Sequence, residues 1–108
     1  MPFSVLLTHD AAHDLEELFD FIAVNDSPGK AVHVLDQIEK AFTSLAETPQ
    51  RGTFPKELLA LGIREYREVF FKPYRIIYRE TGNNVNVFLI ADGRRDMQAL
   101  LQRRMFQT

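Results

Sequence analysis

The hydrophobic period of this chain changes once, and that change limits the folds it can adopt. From Leu15 to Leu45, apolar residues recur every three or four positions, whereas from Ile63 to Ile90 they tend to alternate with polar ones. The first spacing is typical of amphipathic helices, and the second is typical of strands with one buried face. A helical half followed by a strand half predicts the α+β class, in which helices cover a sheet.

Two helices are expected in the first half. Asp10 is a suitable N-cap for the first helix, whose apolar stripe consists of Leu15, Leu18, Phe19, Ile22 and Ala23. Residues 25–28 interrupt the pattern, and Ser27 as N-cap with Pro28 at the first helical position begins a second helix that ends before Pro49. Because the break is so short, the two helices should form an antiparallel hairpin.

Four strands and a third helix complete the predicted order. The first strand is expected within residues 3–8, and the second half offers Ile63–Phe71, Tyr74–Glu80 and Val85–Ile90 as an antiparallel meander. Residues 51–61 are expected to be irregular. A short C-terminal helix is expected to dock through an apolar stripe of Met97, Leu100, Leu101 and Met105. The order β-α-α-β-β-β-α predicts one domain over residues 1–108, with a helical hairpin on one face of a small, mainly antiparallel sheet.

The composition narrows the chemistry that is expected. The chain has no cysteine, so disulfides, thiolate chemistry and cysteine-ligated metals are excluded. His9 and His13 have the spacing of helical metal ligands but lack a third ligand, so no metal and no cofactor are expected. No glycine-rich phosphate loop is present. The apolar run at the start is too short for a signal peptide and none approaches a membrane span, so a cytoplasmic protein without a membrane partner is expected.

Charge is distributed unevenly along the chain. Residues 1–50 hold two lysines against nine acidic residues, whereas residues 51–108 hold eleven basic residues against six acidic ones. The acidic run Asp14, Glu16, Glu17 and Asp20 is expected to be a solvated helix face. The asymmetry has two explanations, which the sequence leaves open: the halves attract each other within the fold, or the basic half binds an acidic partner.

The cationic side chains of the sheet and of the C-terminal segment are the candidate binding residues. Alternation places Tyr74 on one face of its strand and Arg75 and Arg79 on the other, which a hairpin covering one face would leave free. Mixtures of arginine and tyrosine suit a protein or RNA surface, although cross-strand pairing with Glu65, Glu68 and Glu80 would also explain them. The candidates are Arg64, Arg67, Tyr74, Arg75, Arg79, Arg94, Arg95, Arg103 and Arg104.

Arg94 and Arg95 directly precede the C-terminal helix, where the helix dipole is already positive. Two cations at this position are unfavourable unless an anionic group lies close to them. Structural ion pairs to Asp92, Asp96 or an acid of the helical hairpin would supply that group. An acidic partner or a bound anion would supply it equally, because helix N-termini favour anions.

Five segments in their order and spacing resemble the RelE/ParE toxin superfamily over essentially the whole chain: Ala11–Leu15, Leu45–Pro49, Gly52, Tyr74–Tyr78 and Gly93–Asp96. The resemblance implies the RelE/ParE-like fold and a toxin of a bacterial type II toxin–antitoxin pair. It also implies a small cognate antitoxin whose C-terminal segment wraps the toxin. RelE-like members cleave mRNA in the ribosomal A site, and ParE-like members poison DNA gyrase.

The resemblance also separates these two mechanisms. Arg95 fits the arginine that follows the glycine turn, and the preceding strand arginine of the nucleases falls near Phe71 or Lys72. The tyrosine that the nucleases commonly carry falls on Leu101, which lies on the apolar stripe. An arginine alone is a poor proton carrier. A ParE-like toxin that inhibits DNA gyrase by binding, without catalytic residues of its own, is therefore the leading hypothesis.

Two alternatives stay open. One is a RelE-like ribosome-dependent mRNA endoribonuclease, with Arg95, Arg75 and Lys72 holding phosphate. The other is a purely regulatory protein, which would cause no growth arrest.

Overall fold

A computed structural model describes residues 2–106 and contains four strands and four helices in that part of the chain. The strands are β1 (Ser4–Leu7), β2 (Tyr66–Phe71), β3 (Tyr74–Thr81) and β4 (Asn84–Asp92). The helices are α1 (His9–Asn25), α2 (Pro28–Thr43), the one-turn α3 (Lys56–Leu59) and α4 (Met97–Phe106). The predicted order is confirmed, with α3 and a 3₁₀ turn, Ser44–Ala46, as additions.

The helical hairpin forms as its caps require, although one predicted cap is wrong. The Ser27 hydroxyl accepts a hydrogen bond from the backbone N–H of Lys30, and Pro28 occupies the first turn of α2, as expected. The cap of α1 is Thr8 rather than Asp10, because the Thr8 hydroxyl accepts from Ala11 N–H at 3.1 Å. Asp10 instead lies in the first helical turn, where its charge complements the helix dipole.

The sheet has the strand order β1-β4-β3-β2. β1 is parallel to β4, whereas the β2–β3 and β3–β4 pairs are antiparallel, so the sheet is mainly antiparallel as predicted. β2 begins at Tyr66, three residues later than expected, because Ile63 N–H closes a turn onto Leu58 C=O. Gly82 takes a positive φ of 60° in the β3–β4 turn, where glycine is the favoured residue.

Both faces of the sheet are covered, so the expectation of a free second face is wrong. On one face α1 and α2 bury Ile76, Tyr78 and Val87. On the other, Ile77 and Leu89 pack against side chains of α3 and α4, including Leu58, Met97 and Leu101. The predicted docking of α4 through its apolar stripe is confirmed. The sequence did not indicate that α3 covers this face, because α3 is a single turn and is too short to give a periodic signal.

Gly52 lies where no side chain fits. A Cβ atom there would stand 2.5 Å from the Tyr78 hydroxyl and 2.7 Å from the backbone oxygen of Glu68. The Tyr78 hydroxyl also accepts from Gly52 N–H and donates to Pro49 C=O, so it ties the 49–52 segment to β3.

A Gly52→Ala substitution is therefore expected to lower the free energy of unfolding by about 1–3 kcal/mol, as overpacking does elsewhere. Urea denaturation measures the effect. Gly29, whose Cβ position is open, provides the control as Gly29→Ala in α2. Equal stability of the two variants would contradict this account of the 49–52 segment.

Of the helices in residues 2–106, none combines the length and the apolar character needed to cross a bilayer.

Candidate functional site

The turn between β4 and α4 pairs one of its two arginines internally. Arg94 folds back on Asp92, with Nη2–Oδ2 and Nε–Oδ1 distances of 2.6 and 3.0 Å. The hydrogen bonds between Arg94 and Asp92 lower the pKa of Asp92 and raise the pKa of Arg94. Asp96 caps α4, since its Oδ1 accepts from Ala99 N–H. Arg95 is exposed and has no ion-pair partner within residues 2–106.

Arg75 is buried in an internal ion network on the sheet face that α3 covers. Its Nη1 and Nη2 donate to the two carboxylate oxygens of Glu57 at 2.9 and 2.7 Å, and its Nε donates to Glu68 at 2.7 Å. These bonds raise the pKa of Arg75 and lower that of Glu57. Gly93 packs against the Arg75 side chain so closely that a Cβ would stand 2.7 Å from Cδ. Arg75 thus joins β3 to α3 and β2 and is not available to a partner.

Arg104 joins α4 to the hairpin. Its Nη1 and Nη2 donate to Asp14 at 3.0 and 2.9 Å, its Nη1 also donates to Phe88 C=O, and Asp10 lies 3.8 Å away. Hydrogen bonding to Asp14 raises the pKa of Arg104. The basic half therefore does attract the acidic half within the fold. Asp14 is half-buried rather than solvated, which corrects that part of the expectation.

Three other candidates have no carboxylate partner within the part of the chain that the structure describes: Arg64, Arg67 and Arg79. Of the three glutamates expected as cross-strand partners, Glu68 does pair across strands, with Arg75. Glu65 and Glu80 make no ion pair in residues 2–106. Arg79 lies over the Tyr66 ring at 5.9 Å from its centroid. Arg64 and Arg67 both lie over Phe54. Arg103 likewise makes no ion pair among residues 2–106 and is exposed on α4.

The tyrosines are packed rather than presented. Tyr74 is half-buried and stacks on Phe71 with ring centroids 6.5 Å apart, and burial together with the neighbouring Asp92 raises its pKa. Tyr66 and Tyr78 are 8% and 0% exposed. Leu101, at the position where the nucleases commonly carry tyrosine, is 1% exposed and packs in the core between α4 and the sheet. No proton donor therefore stands there.

Metal binding has no geometric support among residues 2–106, where no three His, Cys, Asp or Glu side chains group as ligands. His13 contacts Glu17 at 2.8 Å on the surface of α1.

Three residues of this region were missed from the sequence. Glu57 lies in a segment expected to be irregular, Phe54 follows a single bridge between Thr53 and Glu68, and Asp14 was assigned to a solvated face. Only Asp14 had a signal, because it stands one residue before Leu15 on the flank of the apolar stripe. The other two depend on long-range contacts that periodicity does not report.

Comparison with known proteins shows a family to which this sequence is similar. The family model of the ParE toxin of type II toxin–antitoxin system, parDE, matches residues 5–97. Toxin ParE3 of Caulobacter vibrioides is 29% identical over 100 residues, which cover 93% of this chain and 96% of that protein.

Two solved structures share the fold. A chain of the chromosomal ParDE system from P. aeruginosa superposes with a TM-score of 0.70 at 20% identity, covering 83% of this chain and 95% of that one. A chain of the RelBE2 toxin–antitoxin complex from Mycobacterium tuberculosis gives a TM-score of 0.58 at 23% identity, covering 85% and 92%. The predicted RelE/ParE-like fold is confirmed.

Proposed function

Because this chain belongs to the ParE toxin family of type II toxin–antitoxin systems, we propose that it inhibits DNA gyrase by binding it and is neutralised by a cognate antitoxin. The family match, which covers residues 5–97, carries this proposal. Gyrase and the ribosome are both cytoplasmic in bacteria, so we expect the toxin to act in the cytoplasm. We expect contact with gyrase or the antitoxin through those candidate arginines that make no ion pair within residues 2–106: Arg64, Arg67, Arg79, Arg95 and Arg103.

The burial of Leu101 supports binding rather than catalysis. Cleavage of RNA requires a group that exchanges protons, whose pKa lies near the working pH. Leu101 cannot exchange a proton, and an arginine such as Arg95 is a poor proton carrier. The three histidines stand at positions 9, 13 and 33, in the first half of the sequence.

The second candidate function is mRNA cleavage on the ribosome. One observation favours it: Arg95 is exposed at the start of α4 and has no ion pair in residues 2–106, as a phosphate-binding cation would be. The internal network of Arg75 weakens it, because that arginine was expected to hold phosphate alongside Arg95 and Lys72. In this alternative, Arg95→Ala abolishes cleavage and leaves antitoxin binding mostly intact.

Induction in cells separates the candidates. We expect expression of the chain alone to arrest growth and to activate a reporter of DNA damage, because blocked gyrase leaves DNA breaks. Co-expression of the adjacent antitoxin gene should restore growth. Growth arrest accompanied by mRNA cleavage at A-site codons, without the DNA-damage response, would support the nuclease instead. Absence of any arrest would contradict both and favour a regulatory protein.

A further inference from the structure

An aromatic ring with two arginines over it lies beside the β2 edge of the sheet. The guanidinium carbon of Arg67 stands 4.5 Å from the centroid of the Phe54 ring, and that of Arg64 stands 5.9 Å from it. We call these three residues the Phe54 clamp. The Thr53–Glu68 bridge, which has hydrogen bonds in both directions, holds the backbone next to Phe54 against β2.

The charges of the Phe54 clamp are not neutralised inside the fold. Neither Arg64 nor Arg67 lies within 4 Å of a carboxylate oxygen in residues 2–106, although Glu65 is the neighbour of Arg64 in the chain. Arg67 uses one donor, Nη1, for Gly52 C=O at 3.0 Å, and its other donors remain available. Two like charges held over one ring repel each other unless an anion lies between or beside them. The Phe54 clamp is therefore complementary to negative charge.

The geometry favours a carboxylate over a nucleic acid as that anion. A guanidinium keeps its N–H donors in its own plane, where a carboxylate accepts them in pairs. Single-stranded nucleic acid is held by bases that stack on open aromatic faces. The Phe54 ring already has two guanidinium groups over it, and Tyr66, the nearest tyrosine in sequence to Arg67, is buried against Phe88.

We propose that the Phe54 clamp is a docking site for an acidic segment of the cognate antitoxin. The inference rests on the antitoxin part of the proposed function and not on the identity of the target. A guanidinium offers a carboxylate two parallel N–H donors, whereas a lysine ammonium is a point charge, so the contact contributes to affinity as well as to association rate. The Phe54 clamp also predicts that the antitoxin segment carries Asp or Glu where it crosses the β2 edge.

The test measures the affinity of the purified toxin for the purified product of the adjacent antitoxin gene by calorimetry at two salt concentrations. We expect Arg64→Gln/Arg67→Gln to weaken binding about 10- to 100-fold and to reduce its salt dependence. Phe54→Leu keeps apolar bulk but removes the ring, and should weaken binding several-fold. Lys30→Gln/Lys40→Gln removes the same charge from α2, where both lysines are exposed, and should change affinity less than twofold.

The outcomes are distinct. If the arginine double variant melts like wild type and binds the antitoxin within twofold of it, the proposal is overturned. It is also overturned if the two lysine changes weaken antitoxin binding as much as the arginine changes do. A third contrary result is that the arginine changes abolish binding of a short oligothymidylate but leave antitoxin binding unchanged. Should the double variant fail to fold, Arg64→Gln alone serves, because that side chain is exposed. A wild-type chain that binds no antitoxin would overturn the proposed function itself, and a lack of gyrase inhibition would leave the Phe54 clamp standing.

Discussion

Arg75→Ala is expected to lower the free energy of unfolding by about 3–5 kcal/mol, the cost of breaking a buried ion pair by removing one partner. Arg75 is 8% exposed and satisfies Glu57 and Glu68 together. Its removal leaves two carboxylates near each other, one of them 6% exposed, without the cation that neutralises them. Urea denaturation at neutral pH measures the loss. A loss below about 1 kcal/mol would contradict the structural role assigned to Arg75.

The pH dependence of the same variant has a definite sign. Hydrogen bonding to Arg75 holds the pKa of Glu57 below its ordinary value of 4.5. The stability from this pair is therefore fully present above pH 4.5 and is lost as the pH falls through the lower pKa of the folded state. We expect the gap between wild type and Arg75→Ala to narrow as the pH falls below 4.5. A gap that widens on acidification would contradict the assignment.

A matched control separates the missing cation from the missing packing. The triple variant Arg75→Met/Glu57→Gln/Glu68→Gln removes all three charges but keeps most of the volume. Replacing a whole buried ion network is often close to neutral, whereas breaking it is costly. The triple variant should therefore be more stable than Arg75→Ala. If the triple variant is less stable than Arg75→Ala, the packing of these side chains rather than their charge determines the loss of stability.

Arg104→Ala is expected to lower the free energy of unfolding by about 2–4 kcal/mol and to loosen α4. β1 leaves the sheet after Leu7, so β4 loses its parallel partner beyond Val87. From there Asp14 accepts from Ile90 N–H at 3.0 Å, and Arg104 donates to Phe88 C=O at 2.9 Å. The Asp14–Arg104 pair therefore serves the β4 edge in place of a strand. Removing Arg104 leaves a half-buried carboxylate and an unpaired carbonyl.

Hydrogen exchange locates this effect. Amide protons of α4 and of Ile90 should lose protection in Arg104→Ala, while those of α2 should not, because local openings follow local contacts. Arg103→Ala is the matched control, because the Arg103 side chain is adjacent in sequence but exposed, and it makes no ion pair in the described part of the chain. Equal effects at the two positions would contradict a specific role for Arg104.

The architecture was predictable because its signals are local. Ala31, Val34 and Ile38 repeat at helical spacing in α2 and are all buried, as is Ile22 of the stripe on α1. The alternation of Tyr74 and Arg75 places them on opposite faces of β3, as expected. The position of Leu101 in a core was likewise predictable from its stripe on α4. Each of these inferences needs only the period of one element.

The fate of each arginine was not predictable, because it depends on contacts between distant segments. Arg75 meets Glu57 across 18 residues, and Arg104 meets Asp14 across 90. Nothing in the spacing of Arg103 and Arg104 indicates that only the second lies within reach of α1. The sequence indicated an anionic partner or internal pairing for the cations. Internal pairing is confirmed for three of them, and an anionic partner for the others stays a prediction. Arg75, Arg94 and Arg104 are paired internally, whereas Arg64, Arg67, Arg79, Arg95 and Arg103 are not within residues 2–106.

Gyrase supercoiling by purified components tests the proposed function most directly. The chain, separated from its antitoxin, is added to gyrase and relaxed plasmid, and the same preparation is added to ribosomes translating a defined mRNA. We predict that supercoiling is inhibited, that the antitoxin restores it, and that the mRNA stays intact. Unchanged supercoiling together with mRNA cleavage that depends on the ribosomal A site would contradict gyrase inhibition and establish the nuclease.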